Sequence, residues 1–218
     1  MIRDFAQHRA RGYLVAALVG GLALAAGPAA AEETAGPKTF VIDPVHSAIQ
    51  FKVRHNMIAK VPGHFSAFEG VVTYEAGKPT SLQPEVTIQT ASITTGNERR
   101  DTHLKSDDFF AAETHPTITF KSTKAEAAGE SKVRLMGDLT MRGVTKPVVL
   151  DVTILGVAPG MGGTTLFALE ATGTVNRKDF GINWDRTLDT GGVVVSDEVQ
   201  MIVQVEAKYA PPKAEGGS

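Results

Sequence analysis

The sequence predicts an all-β domain of about eight antiparallel strands, and two observations support this prediction. Apolar and polar residues alternate with a period of two in many stretches between residues 39 and 209. Such alternation is typical of strands that bury one face and expose the other. The 22 glycines and 11 prolines are spread along the chain, as in proteins with many turns. On this evidence alone the strands form either a closed barrel or a sandwich.

Each predicted strand is defined by apolar residues at every second position, with polar residues between them. The turns that separate them include Gly77–Pro79, Gly129–Glu130 and Pro159–Gly163. In chain order, the residues expected on the inner face are Ile49, Phe51 and Val53; Val86 and Ile88; Ile118 and Phe120; Val133, Leu135 and Leu139; Val148, Leu150, Val152 and Ile154; Phe167, Leu169, Ala171 and Val175; and Val199, Met201, Val203 and Val205.

The segment from residue 97 to residue 110 breaks the alternation and predicts a short helical insertion. Asn97 is a favourable N-cap for a helix that begins at Glu98. Ser106 favours a second turn that ends in Phe109 and Phe110. We expect this insertion to cover one end of the β-structure, with the two phenylalanines plugging or lining its mouth.

Charge and composition exclude several classes of function. Lys and Arg number 22 against 24 Asp and Glu, whereas a dedicated nucleic-acid binder normally has a clear basic excess. The chain has no cysteine, which removes disulfides, thiolate nucleophiles and Cys-ligated metals. The histidines show no metal-ligand spacing. We therefore expect no nucleic-acid partner, no metal and no cofactor.

The amino terminus resembles a secretory signal peptide. Arg3, Arg9 and Arg11 precede an apolar stretch from residue 13 to residue 26, and small residues up to Ala31 form a processing site. We expect residues 1–31 to be removed, which makes the product periplasmic or secreted; the alternative is a retained membrane anchor. Residues 32–38 and 210–218 are predicted to be a flexible linker and a flexible tail.

Four ordered motifs carry a resemblance to a known family. They are Asp43–Ser47, Arg100–Phe110, Gly137–Pro147 and Arg177–Gly181, and together they resemble the YceI-like family of polyisoprenoid-binding proteins over about residues 39 to 208. The resemblance implies a lipocalin-like eight-stranded antiparallel barrel at residues 39–209, with the helical insertion near residues 97–110. It also implies an elongated apolar interior that holds an isoprenoid chain, in a periplasmic protein.

These expectations give a set of candidate ligand-binding residues, although the same inner face could simply be a packed core. At the mouth, cationic side chains could hold a diphosphate or a quinone oxygen; alternatively, Arg100 and Asp101 anchor the helix to the barrel rim. The predicted headgroup residues are Arg99, Arg100, Lys105, Phe109 and Phe110. The predicted cavity lining is Phe51, Val53, Ile88, Phe120, Leu135, Leu150, Val152, Phe167, Met201 and Val203.

The sequence therefore favours a binding or carrier protein for a long isoprenoid lipid, such as a quinone or a polyprenyl phosphate, without catalytic residues. Its partners would be that lipid and, transiently, a membrane, with the chain a monomer or a homodimer. An alternative is an enzyme that uses the barrel as a hydrophobic chamber, with His55 or His103 as acid–base group; a third is a purely structural barrel. Asp43, His46 and Ser47 match the residue types of a hydrolase triad, but on one extended strand they would point to alternate faces.

Overall fold

The computed structural model describes residues 36–186 and 194–209. The predicted signal peptide at residues 1–31, most of the predicted linker and the predicted tail at residues 210–218 lie outside the described residues. Within the described part, no helix combines the length and the apolar character that crossing a bilayer requires.

The described chain consists mainly of β-strands, with one short α-helix. The helix, α1, spans Glu98–Lys105. Short 3-10 turns lie at Pro79–Ser81, Thr90–Ser92, Met161–Gly163 and Arg177–Phe180. The strands are β1 (Lys38–Ile42), β2 (Ala48–His55), β3 (Ala59–Phe65), β4 (Phe68–Tyr74), β5 (Gln83–Gln89), β6 (Ile93–Thr94), β7 (Thr117–Ala127), β8 (Lys132–Met141), β9 (Val144–Pro159), β10 (Thr165–Asn176) and β11 (Val195–Tyr209).

Eight of these strands close into an antiparallel barrel, which confirms the predicted fold class. The closed order is β1-β4-β5-β7-β8-β9-β10-β11, and β11 pairs back onto β1. Strands β2, β3 and β6 extend the barrel beyond this ring, because β2 continues along β11 and β3 continues along β2. Breaks at residues 43–47, 66–67 and 90–92 thus divide what would otherwise be three continuous strands. Closure leaves few free strand edges, which protects a sheet protein from edge-to-edge association.

The edge of β3 that faces away from β2 stays largely unpaired, since β6 pairs only with His64 and Phe65. This edge carries Lys60 and Pro62. A charged side chain and a residue without an N–H are both common protections of an exposed edge. Helix α1 follows β6 directly and lies at this end of the barrel.

Helix α1 begins where the sequence predicts. The Asn97 side chain accepts a hydrogen bond from the Arg100 backbone N–H at 3.0 Å, which caps the helix. The Asp101 carboxylate accepts from the Thr94 hydroxyl at 2.9 Å and from the Thr95 backbone N–H at 2.8 Å. Burial acts to raise the pKa of Asp101, but the hydrogen bonds from Thr95 and Thr94 outweigh it and hold that pKa below its ordinary value. The helix is therefore fastened to β6 by an ionised carboxylate.

One end of the barrel is closed by aromatic rings. The Phe167 ring centroid lies 5.4 Å from that of Phe40 and 4.9 Å from that of Tyr74. All three side chains are at most 5% exposed, and Leu82 beside them in the core is 1% exposed. Full burial of one such ring stabilises the fold by about 2 kcal/mol. This end is therefore solid core.

Candidate functional site

The barrel interior, as far as the structure describes it, holds a cavity of about 200 Å³. Its wall consists mainly of apolar residues from most of the barrel strands, together with Leu104 of α1. Such a wall offers few hydrogen-bond partners, so it accommodates apolar groups and disfavours polar ones. The predicted lining residues that do line this cavity are Phe51, Val53, Ile88, Phe120, Leu135, Leu150, Val152, Met201 and Val203.

Phe167 is the one predicted lining residue that lies elsewhere. Its side chain is fully buried against Phe40 and Tyr74 in the closed end, and it is absent from the cavity wall. The alternation correctly places Phe167 on the inner face, but a period of two gives the face and not the height along the barrel axis. Phe167 is therefore a plug beneath the cavity.

The opposite end is covered by the predicted helical insertion. Phe109 and Phe110, which follow α1, line the cavity as predicted. Phe110 packs edge-on against Phe65 with 5.9 Å between the ring centroids, and Phe109 lies 5.2 Å from the Trp184 ring. We call residues 104–112, with these two rings, the lid segment.

The lid segment is tied to the barrel by the turn between β8 and β9. The Arg142 guanidinium donates to the backbone carbonyl of Asp107 at 2.9 Å and also to that of Phe109. In the turn itself Arg142 and Gly143 both have positive φ, at 51° and 72°. That combination matches the tight hairpin turn whose twist suits the flanking strands. The motif Gly137–Pro147 thus forms a hairpin whose tip holds the lid.

Several lining side chains of β2 and β11 are only half-buried. They contrast with the lining residues of β8 and β9 such as Leu135 and Val152, which are 2% exposed. The cavity surface therefore reaches solvent on the β2 and β11 side, near the lid. The half-buried lining residues of these two strands are Ile49, Phe51, Val53, Val195, Val199, Met201 and Val203.

Two inward-facing glycines leave space for aromatic rings of the cavity lining. The Phe51 ring lies where a Cβ at Gly63 would stand, and the Phe120 ring does the same at Gly137. Either glycine would therefore meet a ring if it carried a side chain. These positions let large rings lie against the wall instead of filling the centre of the barrel.

Arg177 is the functional-site residue that the sequence analysis missed. It is 4% exposed and lines the open end of the cavity. Its donors reach the carbonyls of Ile182 and Trp184, both at 2.7 Å, and of Ser196 at 3.0 Å and Val195 at 3.4 Å. A fifth bond runs to the Asp197 carboxylate at 3.1 Å.

A guanidinium has five N–H donors, and each donor of Arg177 has a protein acceptor. Arg177 therefore joins the segment after β10 to the start of β11 and has no donor left for a ligand. Lys178 extends this network with contacts to Asp197 at 2.9 Å and Asp185 at 3.4 Å. The pKa of Lys178 is raised above its ordinary value, chiefly by the hydrogen bond with Asp197, which outweighs the opposing effect of burial.

The predicted cationic headgroup residues do not line the cavity. Arg100 donates to the Thr95 hydroxyl at 2.7 Å and to the Thr95 carbonyl at 3.0 Å, so it anchors α1 to the rim, as the structural alternative proposed. Lys105 lies instead on a separate polar groove between β6 and α1. Arg99 borders neither the cavity nor this groove among the described residues.

The two candidate acid–base histidines also lie off the described cavity wall. His103 contacts Asp108 through Nε2 at 2.8 Å, and its ring packs edge-on against Phe109 and Trp184. His55 lies at the end of β2. Gln50 and Arg177 are the polar residues on the described wall.

The Asp43–Ser47 motif is a turn, which corrects the expectation that it is extended. His46 Nδ1 lies 2.7 Å from the Asp43 carboxylate, so these two side chains do converge. The Ser47 hydroxyl instead donates to the Glu206 carbonyl at 3.1 Å. The motif therefore fastens the β1–β2 corner to β11.

Three ligand-type atoms of Asp43, His46 and Glu206 lie within 4.8 Å of one another. The Lys208 ammonium already hydrogen-bonds to the Asp43 carboxylate. That bond, followed by the bond from His46, holds the pKa of Asp43 well below its ordinary value. The Asp43 carboxylate at this corner is thus already partnered by groups of the protein.

Comparison with known proteins decides the family. The family model of the YceI-like domain matches residues 40–207. The chain belongs to the YceI-like family. A UPF0312 protein from Staphylococcus aureus (strain MSSA476) is 38% identical over 168 residues, which cover 77% of this YceI-like chain and 95% of the relative.

Solved structures of relatives share the fold. Burkholderia cenocepacia BcnA matches with a TM-score of 0.65 and 26% identity, over 76% of this chain and 99% of that one. The Campylobacter jejuni YceI protein matches with a TM-score of 0.62 and 33% identity, over 72% and 90%. A polyisoprenoid binding domain from Saccharophagus degradans matches with a TM-score of 0.60 over 78% and 98%. At 16% identity that last likeness concerns the fold alone.

Proposed function

We propose that this YceI-like protein is a periplasmic or secreted carrier that holds a long isoprenoid lipid, a quinone or a polyprenyl phosphate, in the barrel cavity. The observation that carries the proposal is the cavity wall. Its described polar residues are Gln50 and Arg177, and the donors of Arg177 are fully used by the protein. A related fold described as a polyisoprenoid binding domain supports the same ligand class.

The closed end determines how such a ligand lies. Because Phe40, Tyr74 and Phe167 fill that end, the apolar chain enters tail first and the headgroup stays at the lid. The cavity volume of about 200 Å³ is smaller than the ~300–1,000 Å³ of many small-molecule sites. A long chain therefore fills the cavity and continues along the half-buried lining of β2 and β11.

The energetics favour carriage over extraction. Each methylene-sized group moved from water into the cavity gains about 0.8 kcal/mol. The same group moved from a bilayer gains close to nothing, because lipid tails are as apolar as the barrel wall. The protein would thus shield a lipid during passage through water and exchange it readily with a membrane.

The enzymatic alternative has less support in the geometry. An acid–base group must reach the reacting atoms at hydrogen-bond distance, whereas His55 and His103 do not border the described cavity wall. His103 is instead packed edge-on against the rings of Phe109 and Trp184. The arrangement favours binding without chemistry.

Native mass spectrometry of the protein from its own host, followed by organic extraction, tests the proposal. We expect a bound mass that dissociates on denaturation and that the extract identifies as an isoprenoid lipid. The intact mass of the protein in the exported fraction should correspond to a chain that begins at Glu32. A ligand-free protein that also fails to bind added quinone or polyprenyl phosphate would refute the carrier function, and a full-length mass in the membrane fraction would refute export.

A further inference from the structure

The turn between β2 and β3 exposes two large apolar side chains. Ile58 is 83% exposed and Met57 is 52% exposed. Single exposed apolar residues are common on protein surfaces, but these two are consecutive and occupy the tip of a hairpin. We call residues 56–58 the apolar tip.

The backbone of the apolar tip is in a conformation that its sequence does not favour. Asn56 and Met57 have φ values of 48° and 65°, and the Ile58 N–H donates to the His55 carbonyl at 3.2 Å. Tight hairpin turns with two positive φ values strongly prefer glycine at the second position. Met57 therefore adopts a strained backbone conformation while 52% of its surface stays exposed, which points to a role outside the chain.

The apolar tip is held in place from both sides. The Arg54 guanidinium donates to the Met57 carbonyl at 3.3 Å, and the Asn56 N–H donates to the Val194 carbonyl at 2.9 Å. Its exposed side chains are thus presented on a fixed turn.

The tip lies at the open end of the cavity. Val53 and Val195 line the cavity, and His55 at the start of the turn pairs with Val195. At about 3.3 Å per residue, the tip extends roughly 10 Å beyond Val53. A ligand that passes the lid therefore passes the tip.

Cationic side chains flank the tip. Arg54 and Lys60 are direct cross-strand partners and both are exposed. Like charges directly opposite each other destabilise a strand pair. Neither forms an ion pair with a carboxylate in the part of the chain that the structure describes.

We propose that the apolar tip docks on an anionic lipid surface, with Met57 and Ile58 inserted at the boundary of headgroups and acyl chains and with Arg54 and Lys60 against the headgroups. This inference rests on the proposed carrier function, since docking would bring the cavity mouth to the membrane that supplies or receives the lipid. A second copy of the chain fits the surface less well, because a symmetric contact through the tip would bring the same cations together.

The absence of cysteine from the chain permits a site-specific test. Ile58→Cys introduces a lone thiol that takes a polarity-sensitive fluorophore. Met161→Cys is the matched control, because Met161 is 94% exposed and lies in the β9–β10 connection at the other end of the barrel. The probe is a vesicle of phosphatidylcholine and phosphatidylglycerol without isoprenoid lipid, so that cavity loading cannot produce the signal.

We expect the emission to shift to the blue on vesicle addition for the label at position 58 and to stay unchanged for the label at position 161. Lys60→Gln should weaken vesicle binding about fivefold, the effect of one cation near an anionic surface, while Lys132→Gln at the far end should not. No shift at position 58, or equal shifts at both positions, would overturn the proposal. So would a dimer in solution that Ile58→Asp converts to a monomer, since the tip would then be an interface between copies.

The docking proposal and the proposed carrier function can fail independently of each other. Tip insertion by a protein that holds no lipid would leave docking intact and remove the proposed function. Lipid in the cavity without tip insertion would remove the docking proposal alone.

Discussion

The ring of Phe51 occupies the space that a side chain at Gly63, its direct cross-strand partner, would need. The glycine therefore sets how far this ring stands from the barrel wall. Phe51 also lines the cavity. The absence of a Cβ at Gly63 therefore lets the ring lie closer to the wall and leaves the cavity wider.

Gly63→Ala should push the Phe51 ring toward the cavity. We expect overpacking to lower the free energy of unfolding by about 1–3 kcal/mol and to weaken binding of an isoprenoid chain. Urea unfolding and a ligand titration measure both effects. The double variant Gly63→Ala with Phe51→Leu should recover much of the lost stability, because leucine leaves space for the new Cβ. If Gly63→Ala costs as much stability in the Phe51→Leu background as in the wild type, the two positions are not coupled. Gly36→Ala is the control, because a Cβ there meets nothing within 4 Å.

The distinction between a cavity and a packed core can be tested with one valine on β11 and one on β8. Val199 is half-buried on the cavity wall, whereas Val133 is 1% exposed and is not part of the wall. Val199→Phe should cost less than about 1 kcal/mol of stability because the ring has room, while Val133→Phe should cost about 1–3 kcal/mol.

Ligand affinity should show the opposite order. A ring that displaces two methylene-sized groups of the ligand, at about 0.8 kcal/mol each, weakens the longest chains about tenfold. We therefore expect Val199→Phe to lower affinity for long chains more than for short ones. Equal effects of the two variants on both stability and chain-length preference would show that the interior is an ordinary core.

How far the sequence predicted this structure depends on what alternation encodes. A period of two assigns a residue to a face, and this was enough for Val53, Leu150 and Met201 on the cavity wall. It carries no information on height, which is why Phe167 was expected beside the ligand and lies in the closed end. It also treats a corner as a strand, which is why the contact between Asp43 and His46 was not foreseen.

The sequence contained a signal for the inward position of Arg177 that was not used in the prediction. Arg177 follows Val175 by two residues and so continues the inward phase of β10. Buried arginines are rare unless they are paired, so the charge of Arg177 argues against an inward position unless the folded chain supplies its partners. Its acceptors are mostly backbone carbonyls from residues 182–184 and 195–196, and only the folded chain brings these two segments together.

Arg177→Gln should therefore destabilise the rim strongly. It leaves several buried carbonyls unpaired and removes a partner of Asp197, and we expect a loss of about 3 kcal/mol. Arg177→Lys should recover little, because an ammonium offers three donors without the planar fork. Urea unfolding gives the loss, and hydrogen exchange should locate it at residues 182–186 and 194–197. A loss no larger than that of Arg99→Gln on the helix surface would show that the network contributes little.

We expect the ionised Asp43 at the β1–β2 corner to make the stability of the protein depend on pH. The Lys208 ammonium, with His46 and the Val45 backbone N–H, lowers the pKa of Asp43 in the folded state. The unfolded chain therefore binds a proton at Asp43 more readily than the folded chain does. The contribution of the ionised Asp43 to the free energy of unfolding is fully present above the ordinary carboxyl pKa of about 4. It is lost as the pH falls below that value toward the folded pKa.

Asp43→Asn should thus be less stable than the wild type at neutral pH and should lose less stability below about pH 4. Lys208→Gln should change the profile in the same direction, since Lys208 is the largest cause of the shift. Unfolding midpoints in urea across this pH range provide the measurement. Parallel pH profiles for the wild type and Asp43→Asn would show that the corner does not titrate as argued.

The ionic-strength dependence of ligand binding tests which headgroup the protein takes. Arg100 is committed to Thr95 and Arg177 to the rim, so neither cation is available to an anionic headgroup without breaking protein contacts. Exposed charge contacts weaken with salt, whereas burial of an apolar chain does not. We therefore expect binding of a neutral quinone to be unchanged between low and high salt, and Arg100→Gln to lower the unfolding midpoint while leaving quinone affinity intact. Polyprenyl phosphate that binds more tightly than quinone at low salt, and loses this advantage both at high salt and in Arg100→Gln, would instead assign Arg100 to the headgroup.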